Sequence, residues 1–426
     1  MLLTTASTSF SNVDHGLIAA PAICLPDPLS KSAVGELAAF GGPAIFATPV
    51  STSNLVRPSI ERFLAYSRVF HEAHRYTNDG QLVRELEQRL AELHHTRHAV
   101  AMANGFWALV LTIKCLALPG RSEVVMPSLT YRRLADVVAW AGLKPCFSEV
   151  DSSTLAIGAK EAAACIGNDT ALLLAVHPIV NCCDAPGLEA LAADSAIPLM
   201  FDSVESVYET VDGGRKIGGF GLAECFSLHA SKLVNGFEGG YVTTNDDQLA
   251  ARLRKLRGFG FQGQDNVEEL GINAKLNEIH GAMALAGLDD LPDQVRRNRD
   301  RYRIYQRELD GLDGIRLLTF DESERTSFKT IVVEVTDDWP ISRADTIKLL
   351  NEEGILSRAY YSPPLHSKKM AYPSVPARLP LTDVLSERYM LMPCGHLVDE
   401  ADIVAIVGML RFIGRHATAI QRRLKS

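Results

Sequence analysis

Lys232 closes the segment Phe226-Ser227-Leu228-His229-Ala230-Ser231-Lys232, just after a short apolar run and ahead of a glycine-rich stretch, Asn235-Gly236-Phe237-Glu238-Gly239-Gly240. A lysine at the mouth of a sheet loses water, which lowers its pKa and makes its amine a competent nucleophile for a Schiff base. Taken alone, it is more simply an exposed loop lysine. Asp202, thirty residues upstream, changes that reading. It follows Ile197-Pro198-Leu199-Met200-Phe201 and so ends a predicted strand, at the edge where open α/β sheets place their ligands. A carboxylate there can pair with the protonated pyridine nitrogen of pyridoxal phosphate and keep that ring an electron sink. Considered by itself, Asp202 also fits a helix N-cap. Further upstream, an apolar run at 99–103 passes into Asn104-Gly105 and a helix beginning near Phe106. That strand–glycine–helix junction offers free N–H groups and a positive dipole end to an anion, and Ser227 can add a hydroxyl to the same phosphate.

These residues need a scaffold, and the hydrophobic pattern supplies one. Apolar runs at 99–103, 124–126, 145–150, 172–176, 198–201 and 225–228 predict buried strands. Between them lie helical stretches at 81–94, 108–118, 134–141, 161–166 and 187–194. In the first, Leu82, Val83, Leu86, Leu90 and Leu93 share one face. Such alternation predicts an α/β fold, a mostly parallel sheet flanked by helices. Gly239-Gly240 and Asn245-Asp246 bracket 241–244, which reads as an antiparallel strand late in the sheet. Beyond Asp247 come helices at 248–257 and 276–288 and a long charged helix at 292–312. Strands at 315–320, 330–335 and 355–361, with helices at 343–353 and 400–415, predict a smaller α/β domain. The expected division is an N-terminal extension (1–55), a large cofactor-binding domain (56–312) and a small C-terminal domain (313–426). The extension is rich in Ser, Thr, Ala and Pro, and reads as an arm, partly disordered or lying on a partner subunit.

Composition removes several functions. With 43 Lys+Arg against 51 Asp+Glu, a net charge of −8 carries no footprint for nucleic acid. No window reaches the ~18 consecutive apolar residues of a membrane helix, and the N-terminus lacks the basic region of a signal peptide. Eight cysteines without a CxxC pair fit a reducing cytoplasm. A soluble enzyme without a metal is the reading that remains. Two patterns are set aside. Gly258-Phe259-Gly260-Phe261-Gln262-Gly263 matches the dinucleotide fingerprint, but it follows a basic helix and reads as a helix C-terminal turn. His94, His95 and His98 lack a third ligand and read as surface histidines near a helix end.

The motifs in order resemble a known family. Asn104-Gly105, Met126-Pro127-Ser128-Leu129-Thr130-Tyr131, Asp202-x-x-Glu205, Phe226-Ser227-x-x-x-x-Lys232, Glu238-Gly239-Gly240 and Gly271-x-Asn273-x-x-Leu276-x-Glu278 look like the DegT/StrS-type sugar aminotransferases, across roughly 55–415. The stretch from Phe226 to Gly240 most resembles the branch acting at C4 of dTDP-4-keto-6-deoxyhexoses. The resemblance implies a fold-type I enzyme built on a mostly parallel seven-stranded sheet. It also implies pyridoxal 5′-phosphate as cofactor, cycling through pyridoxamine phosphate. An amino acid, expected to be glutamate, would be the donor and a nucleotide-linked keto sugar the acceptor. Residue by residue it implies Lys232 as Schiff-base lysine and proton shuttle, and Asp202 on the pyridine nitrogen. Tyr131 would stack on the cofactor, and Glu205 would face its 3-hydroxyl side. Gly105, Phe106 and Ser227 would cradle the phosphate. Asn273 would reach a neighbour's phosphate, making a homodimer with shared sites.

The chain departs from that pattern in three places. Phe106-Trp107 stand where relatives usually carry Thr or Ser after Asn-Gly. Arg132-Arg133 follow Tyr131, where small or apolar residues are usual. Val180 replaces a glycine. These positions surround the cofactor and acceptor pockets and keep two other readings open: an enzyme acting on a cyclitol or non-sugar ketone, and a catalytically idle, cofactor-binding regulator. A related dehydratase subgroup has histidine at the lysine position, which Lys232 disfavours.

Overall fold

The computed structural model describes residues 31–52, 56–263 and 265–425. Seven strands form the central sheet: β1 (His98–Met102), β2 (Glu123–Pro127), β3 (Lys144–Ser148), β4 (Thr170–Val176), β5 (Leu199–Asp202), β6 (Ala223–Ser227) and β7 (Gly240–Thr244). Their order is β1-β7-β6-β5-β4-β2-β3, with β7 antiparallel to both neighbours and the other pairs parallel. Alternate residues of a strand face opposite sides. In β4, Leu173 and Ala175 enter one apolar core while Leu172, Leu174 and Val176 enter the other. Both faces are covered, which is why these strands read as unbroken apolar runs.

The flanking helices are α1 (Ile60–Glu72), α2 (Gln81–His94), α3 (Gly105–Leu116), α4 (Leu134–Trp140), α5 (Ala159–Ala163), α6 (Ala185–Asp194), α7 (Asp247–Arg257), α8 (Glu278–Asp289) and α9 (Leu291–Leu309). α3 starts at Gly105, capped by Asn104, one residue before the start expected near Phe106. α1 has no counterpart in the sequence reading. None of its residues is fully buried, although Phe63, Tyr66, Val69 and Phe70 pack against the core from one face. The second half of α9 sends Tyr302, Tyr305 and Leu309 into the C-terminal core.

That C-terminal unit is a four-stranded antiparallel sheet of β8 (Ile315–Leu317), β9 (Ile331–Val335), β10 (Arg358–Ala359) and β11 (Tyr389–Met392), in the order β8-β9-β11-β10. The strand expected at 355–361 is divided. Ile355–Leu356 instead pairs in parallel with Val50–Ser51. This contact ties the N-terminal segment to its own chain. The buried Glu353 carboxylate accepts from Lys31 Nζ and from the N–H groups of Ala38 (2.8 Å) and Ile45 (3.1 Å). Leu37, Phe46 and Val50 enter the C-terminal core. Residues 31–52 thus pack against the C-terminal unit of their own chain, and residues 1–30 lie outside the described ones.

His94 corrects another expectation. It is buried rather than on the surface, bonded to Ile217 O (2.6 Å) and Tyr241 Oη (2.9 Å), and burial pushes its pKa down to about 4. His95 takes the left-handed C-cap of α2, and His98 pairs with Asp247 at 2.7 Å. The residues Gly258 to Gly263 end α7 and enter a small hairpin, Phe261–Gln262 with Asn266–Val267. Among the described residues, no single helix is long and apolar enough to cross a membrane.

Candidate active site

Sheet register assembles the site. Gly240, at the start of β7, pairs with Met102 at the end of β1 and with Ser227 at the end of β6. The turn at Asn104-Gly105 is thereby laid against Ser227. The approach is close. A Cβ on Gly240 would stand 2.4 Å from the Gly105 nitrogen, and one on Gly105 would press on Ser227 Cβ at 3.2 Å. Only glycine fits at 240, which gives the Glu238-Gly239-Gly240 motif a structural reason. Asn104 Oδ1 accepts the Trp107 N–H at 2.9 Å, leaving the Gly105 and Phe106 N–H groups at the mouth of α3 with no intrahelical acceptor. Ser227 Oγ accepts the His229 N–H (3.2 Å) and keeps its own proton to donate.

Asp202 ends β5 and is 2% exposed. Its Oδ1 accepts the Val204 N–H at 3.3 Å, and no helix follows, so the N-cap alternative falls. Burial raises its pKa to about 6, against the pull of the Val204 hydrogen bond and the Lys232 charge. In the folded chain this value stands above the ordinary 3.8. The stabilisation from holding the proton is complete below pH ~3.8 and is lost as pH rises through about 6. Without cofactor, Asp202→Asn, which cannot ionise, should raise the thermal midpoint at pH 7.5. The gain corresponds to roughly 3 kcal/mol and should vanish by pH 4. Thermal scans of both proteins across that range check this; a difference independent of pH contradicts it.

Lys232 sits in the turn after β6, its N–H donating to His229 O at 2.8 Å. Its Nζ pairs with Glu205 Oε1, and Lys329 Nζ pairs with Glu205 Oε2. Burial by itself would raise the Glu205 pKa, but the two ammonium groups hold it at about 2. The expectation for the Lys232 amine is reversed. Burial does push its pKa down, yet the Glu205 carboxylate more than offsets this, and Lys232 stands above the ordinary lysine value. Burial does prevail at Lys329, which stands below it. Sequence reasoning missed Lys329, which lies just before β9. Nothing in Ser327-Phe328-Lys329-Thr330 signals it, and only the packing of the C-terminal unit brings it to Glu205.

Tyr131 is half exposed, close enough for its phenol to bear on the Lys232 ammonium. Phe106 lies at the start of α3 with its ring edge-on to Trp107 at 5.7 Å. Asn273 is not drawn into this group. It is exposed, and its Oδ1 accepts from Lys275 Nζ at 2.7 Å. It does not cap a helix either, because Asn277 caps α8. The structure thus joins Gly105, Phe106 and Ser227 at one end of the sheet, and Asp202, Glu205 and Lys232 beside them. The donor set fits pyridoxal phosphate: a glycine-tight cradle with free N–H groups and a hydroxyl, a buried carboxylate that gains from a cationic ring nitrogen, and a lysine held nearby.

Fold and site together define a fold-type I, pyridoxal-phosphate-dependent aminotransferase. The chain belongs to the DegT/DnrJ/EryC1/StrS aminotransferase family, whose profile matches residues 59–411. It is 25% identical over 315 residues to dTDP-4-amino-4,6-dideoxy-D-glucose transaminase of Shigella dysenteriae, covering 74% of this chain and 85% of that protein. It is 30% identical to GDP-perosamine synthase of Caulobacter vibrioides, covering 67% of this chain and 77% of that one. The crystal structure of DesI in the presence of its TDP-sugar product superposes with a TM-score of 0.86 at 33% identity, over 92% of this chain and 100% of that chain.

Proposed function

We propose that the enzyme moves an amino group from an amino acid, expected to be glutamate, to the keto carbon of a nucleotide-linked 4-keto-6-deoxyhexose. The observation that carries the site assignment is the meeting of Asp202, Glu205 and Lys232 beside the Gly105–Ser227 cradle. The named activities of the transaminase and synthase relatives support the acceptor class. When bound, pyridoxal phosphate supplies an aldehyde to take up the amino group and a ring to accept electrons. In this reading Asp202 faces the pyridine nitrogen, whose positive charge offsets the burial of the carboxylate. Lys232 carries a proton between cofactor C4′ and the substrate carbon as general acid–base. Glu205, kept ionised, aims the Lys232 ammonium, and Lys329 on its other oxygen keeps that carboxylate from wandering. Gly105, Phe106 and Ser227 hold the phosphate, Tyr131 covers the cofactor, and seven free thiols among the described residues fit a reducing cytoplasm.

The test is a single-turnover assay of cofactor-loaded enzyme with glutamate and then dTDP-4-keto-6-deoxyglucose, the aminated sugar being read by mass spectrometry. A donor half-reaction without amination of any nucleotide-linked keto sugar would remove this acceptor and favour the cyclitol or non-sugar ketone. Failure of every amino donor would remove the aminotransferase assignment altogether.

The reading includes a homodimer with shared sites. Around Asn273, Leu270 is 86% exposed, and Phe259, Phe261 and Val267 are exposed with it, an apolar surface suited to a second copy. From there Asn273 would donate to the partner's phosphate. Lys232→Ala and Asn273→Ala proteins, each inactive, should regain activity when mixed under exchange, towards about a quarter of wild type, because half the dimers carry one intact site. Demonstrated exchange without recovery means that Asn273 acts within its own chain.

A further inference from the structure

A groove of about 640 Å³ opens beside the candidate site, between α4 with the residues leading into it and the segment 365–372. Both walls start at the site. One leaves the end of β2 through Ser128 to Tyr131 and Arg132. The other leaves Tyr361, a residue within the field of Glu205 and Asp202. The walls are fastened at two points. Ser128 Oγ meets His366 Nδ1 at 2.7 Å near the site, and Tyr372 Oη donates to Asp136 Oδ1 at 2.5 Å further out.

Four cations line this groove, Arg132, Arg133, Lys368 and Lys369, with one carboxylate, Asp136. Asp136 is already engaged by Arg133 (2.9 Å) and by Tyr372. Among the described residues, Arg132, Lys368 and Lys369 have no carboxylate partner. Burial and the charges of Arg132 and Arg133 together push Lys368 below the ordinary lysine value, against the opposing pull of Asp136, so the like charges converge with only one carboxylate to offset them. Such a cluster lacks only an anion. At the far end of α4, about 9 Å along the helix from Leu134, Trp140 is 64% exposed. Its ring meets that of Trp107 at 5.7 Å in a T-shaped pair, and its exposure leaves indole surface for a planar group.

We propose that this groove seats the diphosphate and base of a nucleotide-linked acceptor, with Arg132, Lys368 and Lys369 on the phosphates and the base against Trp140. The proposal rests on the acceptor reading given above and adds to it the part of the chain that recognises the nucleotide. It gives a function to Arg132-Arg133 and to Trp107, which lie outside the motifs on which the family resemblance rests. A free cyclitol has neither phosphate nor base and would leave these cations unused.

The probes are dTDP and inorganic pyrophosphate, titrated calorimetrically into enzyme loaded with pyridoxal phosphate, so that the phosphate cradle at Gly105 is already filled. Wild type should bind both. Arg132→Ala/Lys368→Ala should weaken both at least tenfold, Arg132→Lys should keep most of the affinity, and Trp140→Ala should weaken dTDP but not pyrophosphate. These side chains are exposed or half-buried, and circular dichroism confirms that each variant is folded. Wild type that binds neither probe, or a double variant that binds them as wild type does, overturns the groove. The two readings fail separately. Groove-dependent dTDP binding without amination of any nucleotide-linked keto sugar removes the acceptor reading alone. Amination with a KM untouched by the double variant removes the groove alone.

Discussion

Lys232→Ala enzyme should take up pyridoxal phosphate yet lose transamination by ~10³-fold or more, the range expected for a missing general acid–base group. Its fold should survive. Glu205 remains paired with Lys329 after the substitution, so no buried carboxylate is left without a counter-charge. Its thermal midpoint should therefore stay within a few degrees of wild type, which separates lost chemistry from lost structure. The structure also names the rival. Lys329 is the other lysine on Glu205, and burial leaves its amine below the ordinary value while Lys232 stands above it. On basicity alone, Lys329 would be the readier nucleophile. Position favours Lys232, which leaves β6 beside Ser227, whereas Lys329 approaches from β9. Borohydride reduction of cofactor-loaded wild type, followed by peptide mapping, should place the adduct on Lys232. An adduct on Lys329 would overturn the assignment and make Lys232 its partner.

Asp202→Asn is expected to slow transamination by at least two orders of magnitude, on the scale of ~3 kcal/mol. The carboxylate lies at the end of β5, is almost fully buried and accepts a single backbone hydrogen bond, so its charge is poorly compensated by the chain alone. In the proposed reading a protonated ring nitrogen would supply that compensation, and asparagine could not hold the nitrogen protonated. The effects on stability and on rate should therefore oppose one another. Without cofactor the variant is the more stable protein at neutral pH, and with cofactor it is the poorer catalyst. Stopped-flow measurement of the donor half-reaction checks the second point. Near-normal turnover would reduce Asp202 to a structural residue of the turn at Val204.

Much of this arrangement was legible in the chain because it depends on short-range pattern. Strands buried on both faces leave continuous apolar runs, so β2, β4 and β5 can be located, and with them the strand end that carries Asp202. The glycines at 239 and 240 mark the antiparallel β7 because a side chain at 240 would strike the Gly105 nitrogen. Asn104-Gly105 announces the start of α3 through its cap. α1 was missed although Phe63, Tyr66, Val69 and Phe70 form an apolar face, because that face is only partly buried and is interleaved with charged residues. His94 was misplaced for the converse reason. A polar residue in a helix's last turn reads as surface until Ile217 and Tyr241 are seen to take both ring nitrogens.

What only the tertiary structure decided is the electrostatics. Lys329 lies 124 residues from Glu205, and Lys31 lies 322 residues from Glu353, and no local pattern couples such positions. The state of Lys232 shows the consequence most directly. Its place after a buried strand implies desolvation and a lowered pKa, and the structure does bury it. The sign of the shift is nevertheless set by the Glu205 carboxylate at its Nζ. Burial is encoded in the period of the side chains along a strand, but the partner of a buried charge is set by how the large sheet and the C-terminal unit dock. Coulomb energy at contact distance in a poorly polarisable interior is large enough to reverse what burial alone dictates.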